Sequence, residues 1–376
     1  MRKKLSALLV ASHAYAFAVL DNLIQQLGAL QSLSTAQIAT AVNALTTESV
    51  SVEIKAAFLT ALAKKGEAAD EIAAFANELL TRSIQPPLDA ETRSREILDV
   101  CGTGGDHLGT FNISTTVAIV CAASGVTVAK HGNRAITSKS GSADVLEALG
   151  IKIDLSPTDA AAALRDHGFA FFFAPNYHPA FKHIGPARKL CAERGQRTIF
   201  NFLGPLLNPV RPTAQLLGVA KAELCEPLAH VLQSLGLRRG MVVCGQVQGE
   251  RREARGDSKT VPSAFLDELS TLGPNTVAEF YQERGFTASI LDPTQLPLQP
   301  ATLDDLLGGD REVNAEIIRR ILRGEDRGPK LDAVLLNAGA ALFVAGRARS
   351  ISEGWELADE TIKGGAAWKK LEVLRG

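Results

Sequence analysis

Aromatic residues are scarce, at 5% of the 376 positions. That scarcity argues against a platform on which nucleic-acid bases stack. Charge of one sign is also lacking. Lys and Arg number 40 and Asp and Glu 41, a net charge of −1, which excludes a dedicated basic coat for nucleic acid. No apolar run reaches the length of about 18 residues that a membrane-spanning helix needs. Cysteines are few, odd in number and widely spaced: Cys101, Cys121, Cys191, Cys225 and Cys244, with no CxxC. A disulfide framework and a zinc knuckle are therefore not expected, and a reducing, cytoplasmic compartment is. What is plentiful is glycine, 32 residues, in a chain that is 46% hydrophobic and 22% charged. This is a globular composition. It suits closely packed helices and tight backbone loops around a ligand, in one large domain or two unequal ones.

The first sixteen residues imitate a secretory signal. Arg2, Lys3 and Lys4 precede an apolar stretch, and Ala14-Tyr15-Ala16 could pass for a cleavage site. His13 interrupts the apolar stretch, so a basic start to an amphipathic helix is the expectation. Residues 17–82 then read as helices. Leu20, Leu23 and Ile24 share one face; Phe58, Leu59 and Leu62 repeat the spacing, as do Ile72, Phe75 and Leu79. Lys64-Lys65-Gly66 reads as a helix end, and Gln85-Pro86-Pro87 as a hinge.

From residue 96 short apolar strands alternate with helices. Strands are expected at 97–101, 126–129, 151–154, 169–174, 215–219 and 240–244. Helices are expected at 115–124, at 142–149 with Ser142 as N-cap, after Pro157, at 224–235, and through most of 312–374. The alternation predicts a mostly parallel α/β sheet.

Three segments carry chemistry. Gly102-Thr-Gly-Gly-Asp106 follows a strand directly, and its glycines let backbone N–H groups approach an anion. It matches neither GxGxxG nor the P-loop pattern, and a plain tight turn is the alternative. Thr110-Phe-Asn-Ile-Ser-Thr115 leads into a helix N-terminus, where hydroxyls and N–H groups favour an anion. Ser114 there serves equally as an N-cap. Lys130-His-Gly-Asn-Arg134 ends another strand, on the same carboxyl edge where parallel sheets gather ligands. Lys130 offers a point charge and Asn133 a two-way amide; Arg134 reads as well as a surface ion-pair partner.

Together with Asp99-Val-Cys101 and Gly141-Ser-Ala-Asp-Val-Leu-Glu-Ala-Leu-Gly150, these segments resemble the anthranilate phosphoribosyltransferase family. The resemblance continues through Phe173-Ala-Pro-Asn-Tyr-His-Pro179, Arg197-Thr-Ile-Phe-Asn201, Leu203-Gly-Pro-Leu-Leu-Asn-Pro209, Leu266-Asp-Glu-Leu-Ser270 and Asp332-Ala-Val-Leu-Leu-Asn-Ala338, spanning about residues 17–374. It implies a nucleoside phosphorylase/phosphoribosyltransferase-like α/β fold. A small all-helical domain over 17–87 would receive helices from 178–206. A large, mostly parallel α/β domain would cover 88–177 and 207–376, with 1–16 an N-terminal extension.

It further implies transfer of the phosphoribosyl group of phosphoribosyl pyrophosphate (PRPP) to anthranilate, in tryptophan biosynthesis, by a homodimer joined through its helical domains. No nucleic acid or membrane partner is implied. Carried over motif by motif, Gly102, Gly105, Asp106, Thr110, Asn112, Ser114, Thr115, Lys130, Ser138 and Ser142 would hold PRPP. Ser114, Asp267 and Glu268 would serve two Mg²⁺ ions. Gly102, Asn133 and Arg188 would meet anthranilate, Arg188 through its carboxylate, and His131, Pro175 and His178 would line the approach. No catalytic base is assigned, because positioning a neutral amine matters more than deprotonating it.

This sequence departs from the family pattern in three places: the first sixteen residues, Thr46-Thr-Glu-Ser49 in place of a Gly-Glu turn, and a longer segment at Gln246–Ala264. That segment reads as a solvated mixed-charge insertion or as a lid on the PRPP site. Without the preceding motifs Asp267-Glu268 would read as a solvated pair at a helix start, and Arg188 could pair with Glu193. Two other readings share the fold. A pyrimidine nucleoside phosphorylase needs a different glycine-serine loop. A nucleic-acid-binding relative would show a basic stripe.

Overall fold

Eight strands form one mixed sheet in the computed structural model, which describes residues 19–135, 139–247, 264–281 and 285–376. They are β1 (Ile97–Gly102), β2 (Thr127–Gly132), β3 (Phe169–Phe173), β4 (Ala214–Gly218), β5 (Arg239–Val247), β6 (Ala264–Leu266), β7 (Asn275–Tyr281) and β8 (Gly285–Leu291). The order is β3-β2-β1-β4-β5-β7-β8, with β6 also on β5. Pairing is parallel from β3 to β5 and antiparallel among β5, β6, β7 and β8. The parallel strands are short and almost wholly buried, as expected when helices cover both faces.

The parallel half follows the sequence closely, and the antiparallel half corrects it. Strands β6, β7 and β8 were not expected. Residues 151–154, expected as a strand, have no strand partner. Ile151 and Ile153 do bury in the core, so the alternation is real. The segment lacks only a strand neighbour. The helix expected at 115–124 is Ile113–Ala123, with Asn112 and not Ser114 in the cap position. The helix Ser142–Ala148 has Gly141 at its N-cap, so Ser142 is one residue inside. Its capping is done by Asp144, whose carboxylate accepts from Gly141 and Ala135 N–H at 2.9 Å each.

The chain divides into two compact units, one reaching to Ile84 and resuming over Tyr177–Leu207, the other Gln85–Asn176 with Asn208–Gly376. Among the described residues the first contains helices and no strand. Residues 19–28 are helical, followed by Thr35–Thr46, Val52–Lys65, Ala69–Thr81 and, in the second stretch, Gly185–Glu193. Ser34 and Gln37 form a capping box on the second of these, worth about 1 kcal/mol. Gly66, at φ 87°, ends the third after Lys64 and Lys65.

Two buried charges brace this unit. Glu71 accepts from Leu33 N–H and Ala68 N–H, both at 2.9 Å, and from Lys65 Nζ at 2.5 Å. Lys55 donates to the carbonyls of Thr47 (2.7 Å) and His183 (2.9 Å), tying helix Val52–Lys65 to the later stretch. Burial lowers its pKa. All five cysteines are free and buried. Among the described residues no helix is long and apolar enough to cross a membrane.

Candidate active site

The glycine loop leaves β1 at its carboxyl end. Gly104 and Gly105 take φ of 76° and 87°, a region that side chains with a Cβ rarely adopt. Asp106 folds back in an Asx turn, its Oδ1 accepting from Leu108 N–H at 3.1 Å. Thr110 then bridges to Leu307, and the chain enters helix Ile113–Ala123. Here Thr115 is fully buried, and its Oγ1 has no partner among the described residues. Asn112 donates from Nδ2 to Ser140 O (3.1 Å) and accepts at Oδ1 from Asn314 (2.9 Å). It thus ties the loop to the polar stretch before Ser142.

Asp267 and Glu268 follow β6 directly, in a bend and not at a helix start. Asp267 Oδ2 accepts from Gly104 N–H at 2.5 Å, and Glu268 Oε1 from Ser114 N–H at 3.2 Å, at the helix N-terminus. The acidic pair therefore sits on the glycine loop and the hydroxyl-bearing helix start, although it lies more than 150 residues away in sequence. Burial and the neighbouring Asp106 and Glu268 push the Asp267 carboxyl well above the usual range. Burial pushes Glu268 up to about 7, against the opposing pull of Lys130 and the Ser114 N–H. Close like charges in a desolvated place produce such shifts and mark functional sites.

Three glycines make room for this segment. A Cβ on Gly102 would overlap the Asp267 carboxylate, one on Gly218 its backbone carbonyl, and one on Gly245 the backbone of Glu268 and Ser270. Gly218 and Gly245 were missed in the sequence. Each ends or interrupts a strand, which was the available signal.

Lys130 is placed deeper than a surface phosphate contact would be, at 1% exposure. Its Nζ donates to Val100 O at 2.6 Å and to Ser114 Oγ at 3.4 Å. Burial lowers its pKa, while Asp99 and Glu268 resist that. Asp99, fully buried and pushed up to about 6 by desolvation, accepts from Asn208 Nδ2 (2.9 Å) and His131 N–H (3.4 Å). Asn208 also donates to Ala129 O at 2.7 Å. In the sequence Asp99 and Asn208 stand only as members of motifs, and the structure shows them pinning the start of the Lys130 loop.

Asn133 is exposed at the end of that loop, and its Oδ1 accepts from Arg134 N–H at 2.8 Å. Arg134 is an ion-pair partner, of Glu147 (2.6 Å) and Asp144 (3.1 Å). His131 is buried, Ser142 is half-buried and Pro175 is exposed in the short helix Ala174–Tyr177. Ser138, the first sixteen residues and most of Gln246–Ala264 lie outside the described residues.

Two candidate residues belong to the helical unit. Arg188, in helix Gly185–Glu193, lays its guanidinium over the Phe200 ring at 4.9 Å, and burial lowers its pKa. It does not pair with Glu193, which meets Lys189 instead at 4.0 Å. Among the described residues Arg188 has no carboxylate partner. His178 is 5% exposed, with Nε2 at 2.9 Å from Leu207 O. Burial pushes its pKa down to about 4, so the ring is neutral and turned inward and not open to an approaching ligand.

Comparison with known proteins gives one answer. Residues 21–83 match the glycosyl transferase family, helical bundle domain, and residues 94–261 and 251–368 its a/b domain. Anthranilate phosphoribosyltransferase of Methanocorpusculum labreanum is 46% identical over 320 residues, 85% of this chain and 86% of that protein. The anthranilate phosphoribosyltransferase structure from Thermus thermophilus superposes with a TM-score of 0.80 at 39% identity, covering 94% of this chain and 98% of the other. The Saccharomyces cerevisiae enzyme, solved in complex with PRPP and Mg, gives a TM-score of 0.80 at 27% identity, with 94% and 96% covered.

Proposed function

The chain belongs to the anthranilate phosphoribosyltransferase family, and from that premise we propose which of its residues carry the reaction. The enzyme transfers the phosphoribosyl group of PRPP to anthranilate, giving N-(5-phosphoribosyl)anthranilate and pyrophosphate, in tryptophan biosynthesis. The ribose C1–N bond forms while the bond from C1 to the pyrophosphate oxygen breaks, and the attacking amine loses a proton.

The observation that carries the assignment is the placement of Asp267 and Glu268 against Gly104 N–H and Ser114 N–H. Carboxylates under mutual repulsion, beside the Ser114 hydroxyl, are hard oxygen donors of the kind Mg²⁺ prefers. Among the described residues no three His, Cys, Asp or Glu side chains gather into a metal cage. We assign two Mg²⁺ to Ser114, Asp267 and Glu268. When bound, the metal offsets the negative charge that grows on the departing pyrophosphate.

The chain's own groups do the rest. N–H groups of the glycine loop at Gly105 and Asp106 and of the helix start at Asn112 and Thr115 are assigned to the phosphates, those of Gly104 and Ser114 being given to the acidic pair. The buried Thr115 hydroxyl adds a donor, with Thr110, Ser138 and Ser142. Lys130 acts from below, steadying Ser114 and balancing Glu268. Arg188 is assigned to the anthranilate carboxylate: a half-buried guanidinium stacked on Phe200, with no carboxylate partner among the described residues, is preorganised for one. In the α/β unit Asn133 is the residue assigned to anthranilate, with His131 and Pro175 as supporting positions, whereas the inward-turned His178 supports the fold of its own unit. Oriented attack, and not a strong base, drives the transfer.

We read the working form as a cytoplasmic homodimer joined through the helical unit, which light scattering coupled to gel filtration tests. The direct test of function mixes the purified protein with PRPP, Mg²⁺ and anthranilate. Anthranilate fluorescence falls if the reading holds; no fall at high protein concentration removes it.

A further inference from the structure

The acidic pair is followed by Leu269 and Ser270, and each of these is held by a buried asparagine. Asn337 is fully buried in helix Pro329–Val344. Its Oδ1 accepts from Leu269 N–H at 2.9 Å, and its Nδ2 donates to Leu269 O at 2.9 Å. Asn275, fully buried at the start of β7, does the same one residue on. Its Oδ1 accepts from Ser270 N–H at 2.6 Å, and its Nδ2 donates to Ser270 O at 3.0 Å. Both amides thus engage the N–H and the C=O of a single residue, as a neighbouring strand would.

Neither asparagine is idle elsewhere. Asn337 Nδ2 also donates to Ala333 O in its own helix at 2.9 Å, and Asn275 Nδ2 also reaches Gly273 O at 3.2 Å. Their side chains are spent on backbone. Leu269 itself is sunk in the apolar core, and Gly245 leaves no slack behind Glu268 and Ser270. The backbone just after the acidic pair is therefore fixed by four side-chain hydrogen bonds, a buried leucine and a close glycine.

We propose that Asn337 and Asn275 are positioning residues for the metal-bearing carboxylates, acting through the backbone of Leu269 and Ser270. This rests on the assignment of Asp267 and Glu268 to Mg²⁺. Two carboxylates that repel each other would otherwise swing apart. Clamping the next two residues holds Glu268 at the helix start and Asp267 at the glycine loop, so the repulsion is relieved by a cation and not by movement. Partners behind metal ligands typically change metal affinity by about 10–100-fold when altered.

The test uses Asn337→Asp and Asn275→Asp, which keep the size and one acceptor but lose the hydrogen bonds donated by Nδ2. Mn²⁺ binding, followed by electron paramagnetic resonance with pyrophosphate present, is expected to weaken about 10-fold in each. The Mg²⁺ concentration for half-maximal activity should rise in step, while the KM for anthranilate stays within about 2-fold. Mn²⁺ affinity equal to the parent protein's in both variants overturns the proposal, as does a parallel rise in the KM for anthranilate.

Glu268→Gln is the companion variant. If it too leaves Mn²⁺ binding unchanged, the metal assignment itself fails, and the clamp's role falls with it for a separate reason. Should either Asp variant not fold, hydrogen exchange on the parent enzyme decides. The Leu269 and Ser270 amides are expected to exchange as slowly as those of β5, and exchange at open-loop rates overturns the clamp.

Discussion

Buried charge is used in opposite ways in the two units. In the helical unit, Lys55 and Glu71 spend every visible contact on main-chain groups or on an opposite charge. In the α/β unit, Asp267 and Glu268 crowd together with Asp106, and their pKa values rise. The difference separates structure from chemistry. A satisfied buried charge is a brace, and a stressed one is poised for something the protein does not itself supply. Arg188 is the exception that sharpens the rule. It lies in the braced unit, yet among the described residues it meets an aromatic face and no carboxylate.

The largest effect should come from the stressed group. Glu268→Gln is expected to lower kcat/KM by about 100-fold or more, the scale of losing one electrostatic stabiliser. Its stability should move the other way. Burial raises the folded-state pKa to about 7, so the folded protein binds this proton more tightly than the unfolded chain. The ionised carboxyl therefore weakens the fold as pH climbs through 7. The variant should accordingly melt higher than its parent at pH 8 and by a smaller margin at pH 5. A lower melting temperature at pH 8 would place Glu268 among the braces.

Lys55→Met tests the opposite pole. Two half-buried carbonyls lose their donor, costing about 1–3 kcal/mol of stability, read as a lower urea midpoint. The kcat of the folded fraction should stay within about 2-fold, and a large loss of kcat would make Lys55 part of the chemistry. Arg188→Ala should raise the KM for anthranilate about 30-fold, near 2 kcal/mol, and leave that for PRPP alone. An equal rise in both contradicts its role. Smallest of all, Lys189→Ala removes an exposed pair one residue away and should shift stability by less than about 0.5 kcal/mol.

The sequence already displays the features that depend on neighbours in the chain. Glycine runs after a strand, hydroxyls before a helix and lysines before Gly66 all concern groups a few residues apart. The parallel strands β1 to β4 could be placed because full burial makes them compact apolar runs. The antiparallel half could not. β6 has three residues, too few to show a period, and β8 is exposed along most of its length, so its alternation of Phe286, Ala288 and Ile290 marks no buried face. Lys130 was legible as a charge at a strand end, but not its burial under Ser114, because Val100 and Ser114 reach it from other elements. The asparagine clamps were hidden for the same reason. Asn337 and Leu269 are 68 positions apart, and a buried asparagine looks like any other until its partners are known.

One detail of β5 bears on where the acidic pair falls. Gly245, Gln246 and Val247 pair in turn with Leu266, Phe265 and Ala264. The rung at Leu266 stands immediately before Asp267. A slip of one residue on this ladder would turn every side chain of β6 to the other face and carry Asp267 away from Gly104. The three rungs thus act as a ruler, measuring along β5 the height at which the first carboxylate emerges.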